Sequence, residues 1–244
     1  MLGDARVAVV VPAYREERLI ARMLGRLPSF VDAVYVVDDA SGDRTLDRAR
    51  SVNDARVRCL AHAENLGVGA AIRTGYSAAL ADGHDVLAVM AGDDQMHPDD
   101  LNQLVVAVLS GADYAKGNRF VHAERARMPL LRRVGGQLLS LATRAATGLR
   151  VSDTQCGYTA LSARAARALP LDELWSRYGY PNDLLGLLAA SGMKVVEVPV
   201  RPVYADETSG IRPWHLFTVL SVIVRRRLRS PRAVQLPQPG ERAC

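Results

Sequence analysis

The sequence predicts an α/β fold, one domain organised around a mostly parallel β-sheet. Three observations lead there. Four segments in the first half repeat one grammar: an apolar strand, a polar or Gly-containing turn, then a helical stretch. Strands that alternate with helices in this way imply right-handed crossovers and parallel pairing. Each turn would also set polar residues on the same sheet edge. Finally, Val86 to Asp99 (VLAVMAGDDQMHPD) is a buried-type apolar run that stops at two adjacent carboxylates and an amide, as a central strand would at its carboxyl end.

The four strand–helix pairs are Arg6–Val11 with Glu16–Leu27, Ala33–Val37 with Asp43–Ser51, Val57–Ala61 with Val68–Ala81, and Val86–Met90 with Asp99–Leu109. After the first strand come Pro12, Tyr14 and Glu16. A rigid turn, an aromatic face and an acceptor carboxylate can frame a nucleobase and ribose; the same residues fit a plain strand-to-helix turn whose acids complement the helix dipole. The second strand ends in Asp38-Asp39, where one carboxylate is expected to cap the next helix and the other, Asp39, to accept from a base or ribose. The third turn carries Gly67, Gly69 and Gly75, which is not the dinucleotide fingerprint because the last glycine sits six rather than three positions on. Small residues at Gly69, Ala70, Ala71 and Gly75 would let this helix approach the sheet, while Asn65 and the helix N-terminus could face a diphosphate.

The fourth turn delivers Asp93, Asp94 and Gln95 to the edge where open α/β sheets bind ligands. Clustered oxygen side chains suit a hard divalent cation that shares its shell with substrate phosphates. An acidic turn opening the next helix, with Asp99 and Asp100 in its first turn, is the other reading of the same letters.

The second half breaks the rhythm. Tyr114–Phe120 and Asp153–Ser162 read as strands around a long helix, Leu130 to Thr147; Asn182–Ala190 reads as a short helix and Lys194–Val200 as a last strand. Met128-Pro129 and Arg201-Pro202 punctuate the boundaries. One domain is expected over 1–229: a nucleotide-binding half to about 120, an acceptor half over 121–212 and a basic amphipathic helix over 213–229. The Pro- and Gln-bearing stretch 230–244 is expected to be disordered.

With 244 residues, 49% hydrophobic and 23% charged, the balance is that of a globular protein with a substantial core. The net charge of +5 is concentrated late, at Arg125, Arg127, Arg132 and Arg133, then at Arg225, Arg226, Arg227 and Arg229. Such patches can serve phosphate groups, an anionic membrane surface or nucleic acid. Nucleic acid is the weakest of the three, since only three Phe and two Trp are present and no nucleic-acid motif occurs. Three cysteines without a CxxC pair point to a reduced compartment. Cys156 has no His nearby in sequence to make it a nucleophile. The start runs straight into RVAVVVP, with no expected signal peptide, and the longest apolar run, Trp214 to Val224, falls short of the roughly 20 residues that span a bilayer. A cytoplasmic location is expected, at the inner face of the cell membrane if the partner is a lipid. Trp214–Arg229 could lie in that interface or pack on the domain with a solvated basic end.

PAYREE, VDDASGDRT, NLGVGAAIRTGYSAAL, AGDDQMHPDDL, KGNRF, SDTQCGYTAL and YPNDLL occur in that order between about Arg6 and Ile211. In this the chain resembles the family 2 glycosyltransferases, in particular the polyprenyl-phosphate sugar transferases of the dolichol-phosphate mannosyltransferase type. The resemblance implies a GT-A fold: a single Rossmann-like domain with a mostly parallel sheet and helices on both faces. It implies Pro12, Tyr14, Glu16 and Asp39 at the base and ribose of a nucleotide-sugar, Asp93 and Gln95 on Mg²⁺ or Mn²⁺ with the diphosphate, and Arg119 near the phosphates. The family's first D-x-D aspartate falls on Ala91, and Asp94 stands where glycine is usual. Either Asp94 substitutes as a ligand, or the metal relies on Asp93, Gln95 and the diphosphate. Asp153 matches an acidic position on the acceptor side, and Asp183 a catalytic or acceptor-orienting acid; an N-terminal helix carboxylate is the other reading of Asp183. The family's late phosphate-binding basic residues do not align cleanly, which leaves Arg201 and Arg212 as candidates.

The activity implied is inverting, metal-dependent transfer of a hexose from a GDP- or UDP-sugar to a polyprenyl phosphate, with peripheral membrane contact. A polysaccharide or natural-product hydroxyl is the alternative acceptor, and would need Asp183 or Asp153 as a base. A non-catalytic nucleotide-sugar-binding module is the alternative of a different class. A sugar-1-phosphate nucleotidyltransferase would carry a Gly- and Arg-rich loop with a lysine after the first strand, which PAYREE lacks.

Overall fold

The computed structural model describes residues 4–203 and 213–228. Seven strands form one sheet: β1 (Val7–Ala13), β2 (Ala33–Asp38), β3 (Val57–Ala61), β4 (Val86–Val89), β5 (Tyr114–Asn118), β6 (Thr159–Ser162) and β7 (Val195–Pro199), in the order β3-β2-β1-β4-β6-β5-β7. Every pairing is parallel except the two made by β6, which runs antiparallel to β4 and β5. The helices are α1 (Ile20–Leu24), α2 (Thr45–Arg50), α3 (Val68–Ala81), α4 (Leu101–Leu109), α5 (Leu130–Thr147), α6 (Ala163–Ala168), α7 (Tyr180–Ala190) and α8 (Pro213–Leu228). Arg212 with the whole loop 204–212, and Arg229 with the tail at 230–244, lie outside the described residues.

The unbroken apolar runs of β1, β2 and β4 follow from burial on both faces. Val7, Val9 and Val11 point into a core shared with Ile20 and Met23 of α1 and Leu101, Leu104 and Val105 of α4. Ala8 and Val10 point the other way, into a core with Ile72 and Tyr76 of α3 and Leu184 and Leu188 of α7. Gly75 lets α3 sit directly on β1, because a Cβ there would overlap Cγ1 of Val10. A smaller cluster, Leu139, Val219 and Ile223 with Ala142, Ala146 and Tyr178, seats α8 against α5. The inner face of α8 is therefore packed on the domain.

Three expected elements differ. The first helix shortens from Glu16–Leu27 to Ile20–Leu24, because Glu16 N–H is drawn to Thr45 Oγ1 (2.8 Å) and Arg15 turns left-handed, with φ of 61°. The strand expected over Asp153–Ser162 pairs only from Thr159; upstream, the N–H groups of Ser152 and Asp153 donate to the Glu197 carboxylate instead of a ladder, each at 2.9 Å. Pro12 lies inside β1 rather than in the turn after it. It is tolerated because the β1–β4 ladder has already ended at Val10, and its carbonyl faces Gly92 N–H at 3.4 Å. An unexpected helix, α6, follows Ser162, whose Oγ accepts from Ala165 N–H at 3.1 Å as an N-cap.

Replacing Gly75 with Ala should destabilise the protein by about 1–3 kcal/mol through overpacking, despite the better helix propensity of Ala. Urea denaturation measures this; an unchanged or raised midpoint would mean that α3 and β1 can part without cost.

Candidate active site

The parallel register of β2, β1 and β4 brings their carboxyl-end turns together, and side chains tie each turn to its neighbour. Arg15 N–H donates to Ser41 Oγ (3.0 Å), and Ser41 Oγ in turn bonds the Asp38 carboxylate. Asp38 thus holds the turn at Ser41 and does not cap α2, where Asp43 Oδ1 takes the Thr45 N–H at 2.9 Å. Tyr14 stands half exposed with the Arg15 guanidinium stacked 5.2 Å from its ring centre, and Glu16 follows one residue on.

Asp39 is buried, and its carboxylate anchors the next turn. Oδ1 accepts from His62 Nδ1 (2.7 Å) and Leu66 N–H (2.9 Å), and Oδ2 from Gly67 N–H (2.8 Å). Gly67 has φ of 98°, which favours glycine, and a side chain there would also strike Ser176 and Arg177. Two N–H groups in the first turn of α3, on Gly69 and Ala70, both donate to Ser176 O, at 2.7 and 3.1 Å. This corrects the alternative in which Asn65 and that helix terminus face a diphosphate: the donors are spent on the segment before α7, and Asn65 Nδ2 bonds Asp39 O.

In the fourth turn, Gln95 N–H donates to Asp93 Oδ1 at 3.1 Å, so the two share one tight bend. Asp94 points elsewhere. It has a left-handed backbone (φ 55°), and its carboxylate takes Arg22 Nε at 2.7 Å and Arg26 Nη1 at 3.0 Å. Downstream, Arg201 braces the same loop: its N–H donates to Asp100 Oδ2 (2.7 Å), and its guanidinium meets Asp100 Oδ1 (3.1 Å) and His97. Among the described residues, no three His, Cys, Asp or Glu side chains converge as a metal cage. A carboxylate and an amide in a single bend are donors of the kind a Mg²⁺-like ion takes when phosphate oxygens and water complete its shell.

Arg119 leaves the end of β5 and is gripped by Asp153 in a fork, Nε to Oδ2 at 2.8 Å and Nη2 to Oδ1 at 2.9 Å, with Arg119 N–H adding a third bond to Oδ2 at 3.0 Å. Burial pushes the Asp153 carboxyl up, but the Arg119 guanidinium and Lys116 outweigh it, so the group titrates below the ordinary value of 3.8. Lys116 is itself fully buried and donates to Cys156 O; burial holds its ammonium below the usual lysine range. Glu197 of β7 completes the set by accepting from Ser152 and Asp153.

Asp183 sits in the first turn of α7, fully buried. Its carboxylate accepts from Trp175 N–H and from Arg226 Nε and Nη2, each at 2.8 Å. Arg226, on α8, also reaches Glu173 O at 3.2 Å. Asp183 thus joins α7 to the C-terminal helix. Its neighbour Asn182 links to Thr143 Oγ1 (2.7 Å) and Gln155 Nε2 (3.0 Å), two residues from Asp153 in the chain.

Residues 8–162 match the pattern of the family described as glycosyl transferase family 2. The chain belongs to glycosyl transferase family 2. Among curated relatives of this family 2 chain, an undecaprenyl-phosphate mannosyltransferase of Micrococcus luteus is 36% identical, over 80% of this chain and 82% of that one. A polyprenol monophosphomannose synthase of Mycolicibacterium smegmatis is 31% identical, over 80% and 76%. In fold, this family 2 enzyme resembles glucosyl-3-phosphoglycerate synthase of Mycobacterium tuberculosis, solved with Mn²⁺, uridine diphosphate and phosphoglyceric acid: TM-score 0.71, 21% identity, coverage 97% and 81%. The fold is GT-A, as the motif order implies.

Sequence reasoning missed the partners of the expected acids: His62, Lys116, Glu197, and Arg22 with Arg26. Lys116 and Glu197 had a signal, since each is a lone charge inside a strand otherwise built of apolar or small residues. Arg226 was visible only as one of a basic run.

Two outcomes follow. Asp183→Asn should cost about 3–5 kcal/mol by leaving Arg226 buried against an amide, and Asp183→Leu with Arg226→Met should recover most of it; equal stability of Asp183→Asn and wild type in urea would contradict the fork. Asp153 binds its proton more weakly folded than unfolded, so its stabilisation is present above the unfolded value and lost as pH falls through the lower folded one. The stability gap between wild type and Asp153→Asn should therefore narrow as pH drops below about 4, and a gap that widens would contradict this sign.

Proposed function

We propose that this glycosyltransferase moves a hexose, with inversion, from a GDP- or UDP-sugar to a polyprenyl phosphate at the inner face of the cell membrane. One observation carries the choice of acceptor. Asp153 and Asp183, the two carboxylates expected to work as acid or base, are both fully buried and forked by arginines. Neither is placed to take a proton from an incoming hydroxyl. A phosphate acceptor is already anionic and needs no base, and the names of the Micrococcus and Mycolicibacterium relatives point to the same acceptor class.

On this reading Pro12, Tyr14, Glu16 and Asp39 line the nucleoside end, Asp39 by holding the loop after β3 in place. Asp93 and Gln95 hold Mg²⁺ or Mn²⁺ together with the diphosphate. When bound, such an ion neutralises the charge that grows on the departing diphosphate. Asp94 leaves the ligand set. Two guanidinium groups occupy its carboxylate, and a cation would have to displace both against their charge. Asp94 then works by fixing the bend that presents Asp93 and Gln95. Arg119, kept in one orientation by Asp153, supplies a preorganised positive charge to the phosphates.

The test is transfer of labelled sugar from a GDP- and UDP-sugar panel to undecaprenyl phosphate, counted in the organic phase with and without Mn²⁺. Asp93→Ala should lower transfer by about a hundredfold or more, and Asp94→Asn by much less. Donor binding without turnover on any lipid phosphate would overturn this acceptor, and without turnover on any hydroxyl acceptor either would leave only a binding module; a larger loss in the Asp94 variant would return that residue to the metal.

A further inference from the structure

The hydrogen-bonding capacity of Asp39 can be counted. An ionised carboxylate offers about four lone-pair sites, two on each oxygen. Oδ1 spends both of its own, on His62 Nδ1 at 2.7 Å and on Leu66 N–H at 2.9 Å. Oδ2 spends one, on Gly67 N–H at 2.8 Å. Among the described residues these are its donors, so a single site is left, on Oδ2 of a side chain that is only 4% exposed.

His62 is clamped at both ring nitrogens. Facing a carboxylate, Nδ1 carries a proton; Nε2 meets Thr74 Oγ1 of α3 at 2.9 Å, and the His62 backbone N–H donates to Asp38 O at 2.9 Å. The Thr74 hydroxyl can donate to a neutral imidazole or accept from a charged one, so Nδ1 remains a donor to Asp39 in either state. Thr74 is itself held in place, because the next residue, Gly75, seats α3 directly on β1. The ring therefore keeps Oδ1 filled.

The two bases of the GDP- or UDP-sugar reading differ in what they ask of such a carboxylate. Uracil presents a single N–H, at N3, between two carbonyl oxygens. Guanine presents two parallel donors, N1–H and the 2-amino group, which an open carboxylate takes with one oxygen each. With Oδ1 filled, Asp39 can satisfy the first and not the second. A guanine seated here would leave a buried donor unpaired, the costly case for a polar contact.

We propose that the donor is a uridine diphosphate sugar, and that His62 sets this choice by occupying the oxygen a guanine would need. The proposal rests on the nucleotide-sugar reading above and narrows it. His62 is a specificity-determining residue that acts through Asp39.

The test is calorimetric binding of four nucleotides to the full-length protein with Mn²⁺ present: UDP, GDP, N3-methyl-UDP and inosine diphosphate. UDP should bind at least about tenfold more tightly than GDP, and N3-methyl-UDP, which has lost the N–H, should fall about tenfold or more below UDP. Inosine diphosphate, which lacks the 2-amino group, should bind no more weakly than GDP. His62→Ala should narrow the UDP-to-GDP ratio by opening Oδ1 to a second donor. His62→Asn, whose amide can replace Nδ1 as the donor, should keep it. A merely structural role for His62 would lower both affinities together and leave the ratio where it is. GDP bound as tightly as UDP, N3-methyl-UDP bound like UDP, or an unchanged ratio in His62→Ala would each overturn the proposal. The wild-type series needs no variant, so it decides the base even if His62→Ala does not fold. A preference for GDP would overturn the base assignment alone, whereas wild type that binds none of the four would overturn the nucleotide-sugar reading and this proposal with it.

Discussion

The parallel pairing of β2, β1 and β4 is the constraint from which the rest follows. In a parallel ladder every carboxyl end faces the same way, so the turns after Ala13, Asp38 and Val89 have no choice but to meet. Both faces of these strands are sealed by helices, which is why they are written almost wholly in Val, Ala, Leu and Tyr. The chemistry is confined to the three to six residues that follow each strand. Slip the register of β1 by one residue and Val7, Val9 and Val11 would exchange cores with Ala8 and Val10; the site is therefore specified by packing that never touches it.

Buried carboxylates then turn a meeting of loops into a fixed constellation. Asp39, Asp94, Asp153 and Asp183 are each largely or wholly buried, and each is bonded by donors from distant parts of the chain. Taking such charges out of water is costly, and an apolar replacement of the same shape is often as stable. Their use here is directional. Asp94 selects one bend for the Asp93–Gln95 turn, Asp153 one rotamer for Arg119, and Asp183 one seat for α8. Fixed charge of this sort is what a reaction that expels a diphosphate needs, since it is in place before the charge develops.

Much of this could be read from the letters. The four strand–helix pairs, the polar edge they share and the order of the motifs were legible because period, turn chemistry and apolar runs are local signals. The roles of single acids were harder. Asp39, Asp94 and Asp183 all read as groups for a ligand, a metal or a proton; what occupies them is His62, Arg22 with Arg26, and Arg226, residues 23 to 72 positions away. Nothing local distinguishes a carboxylate that waits for a ligand from one already held by a guanidinium. The strand read over Asp153–Ser162 does contain β6, but its late start was hidden for a related reason: Glu197 of a later strand claims the backbone donors of Ser152 and Asp153.

The most direct test is the anomalous scattering of manganese in crystals grown with Mn²⁺ and a nucleoside diphosphate. The predicted result is one strong peak bonded to Asp93, with the Gln95 side chain and the diphosphate beside it and with Arg22 and Arg26 still on Asp94. A peak seated on Asp94, or an ordered diphosphate at the sheet edge with no metal between it and Asp93, would contradict it.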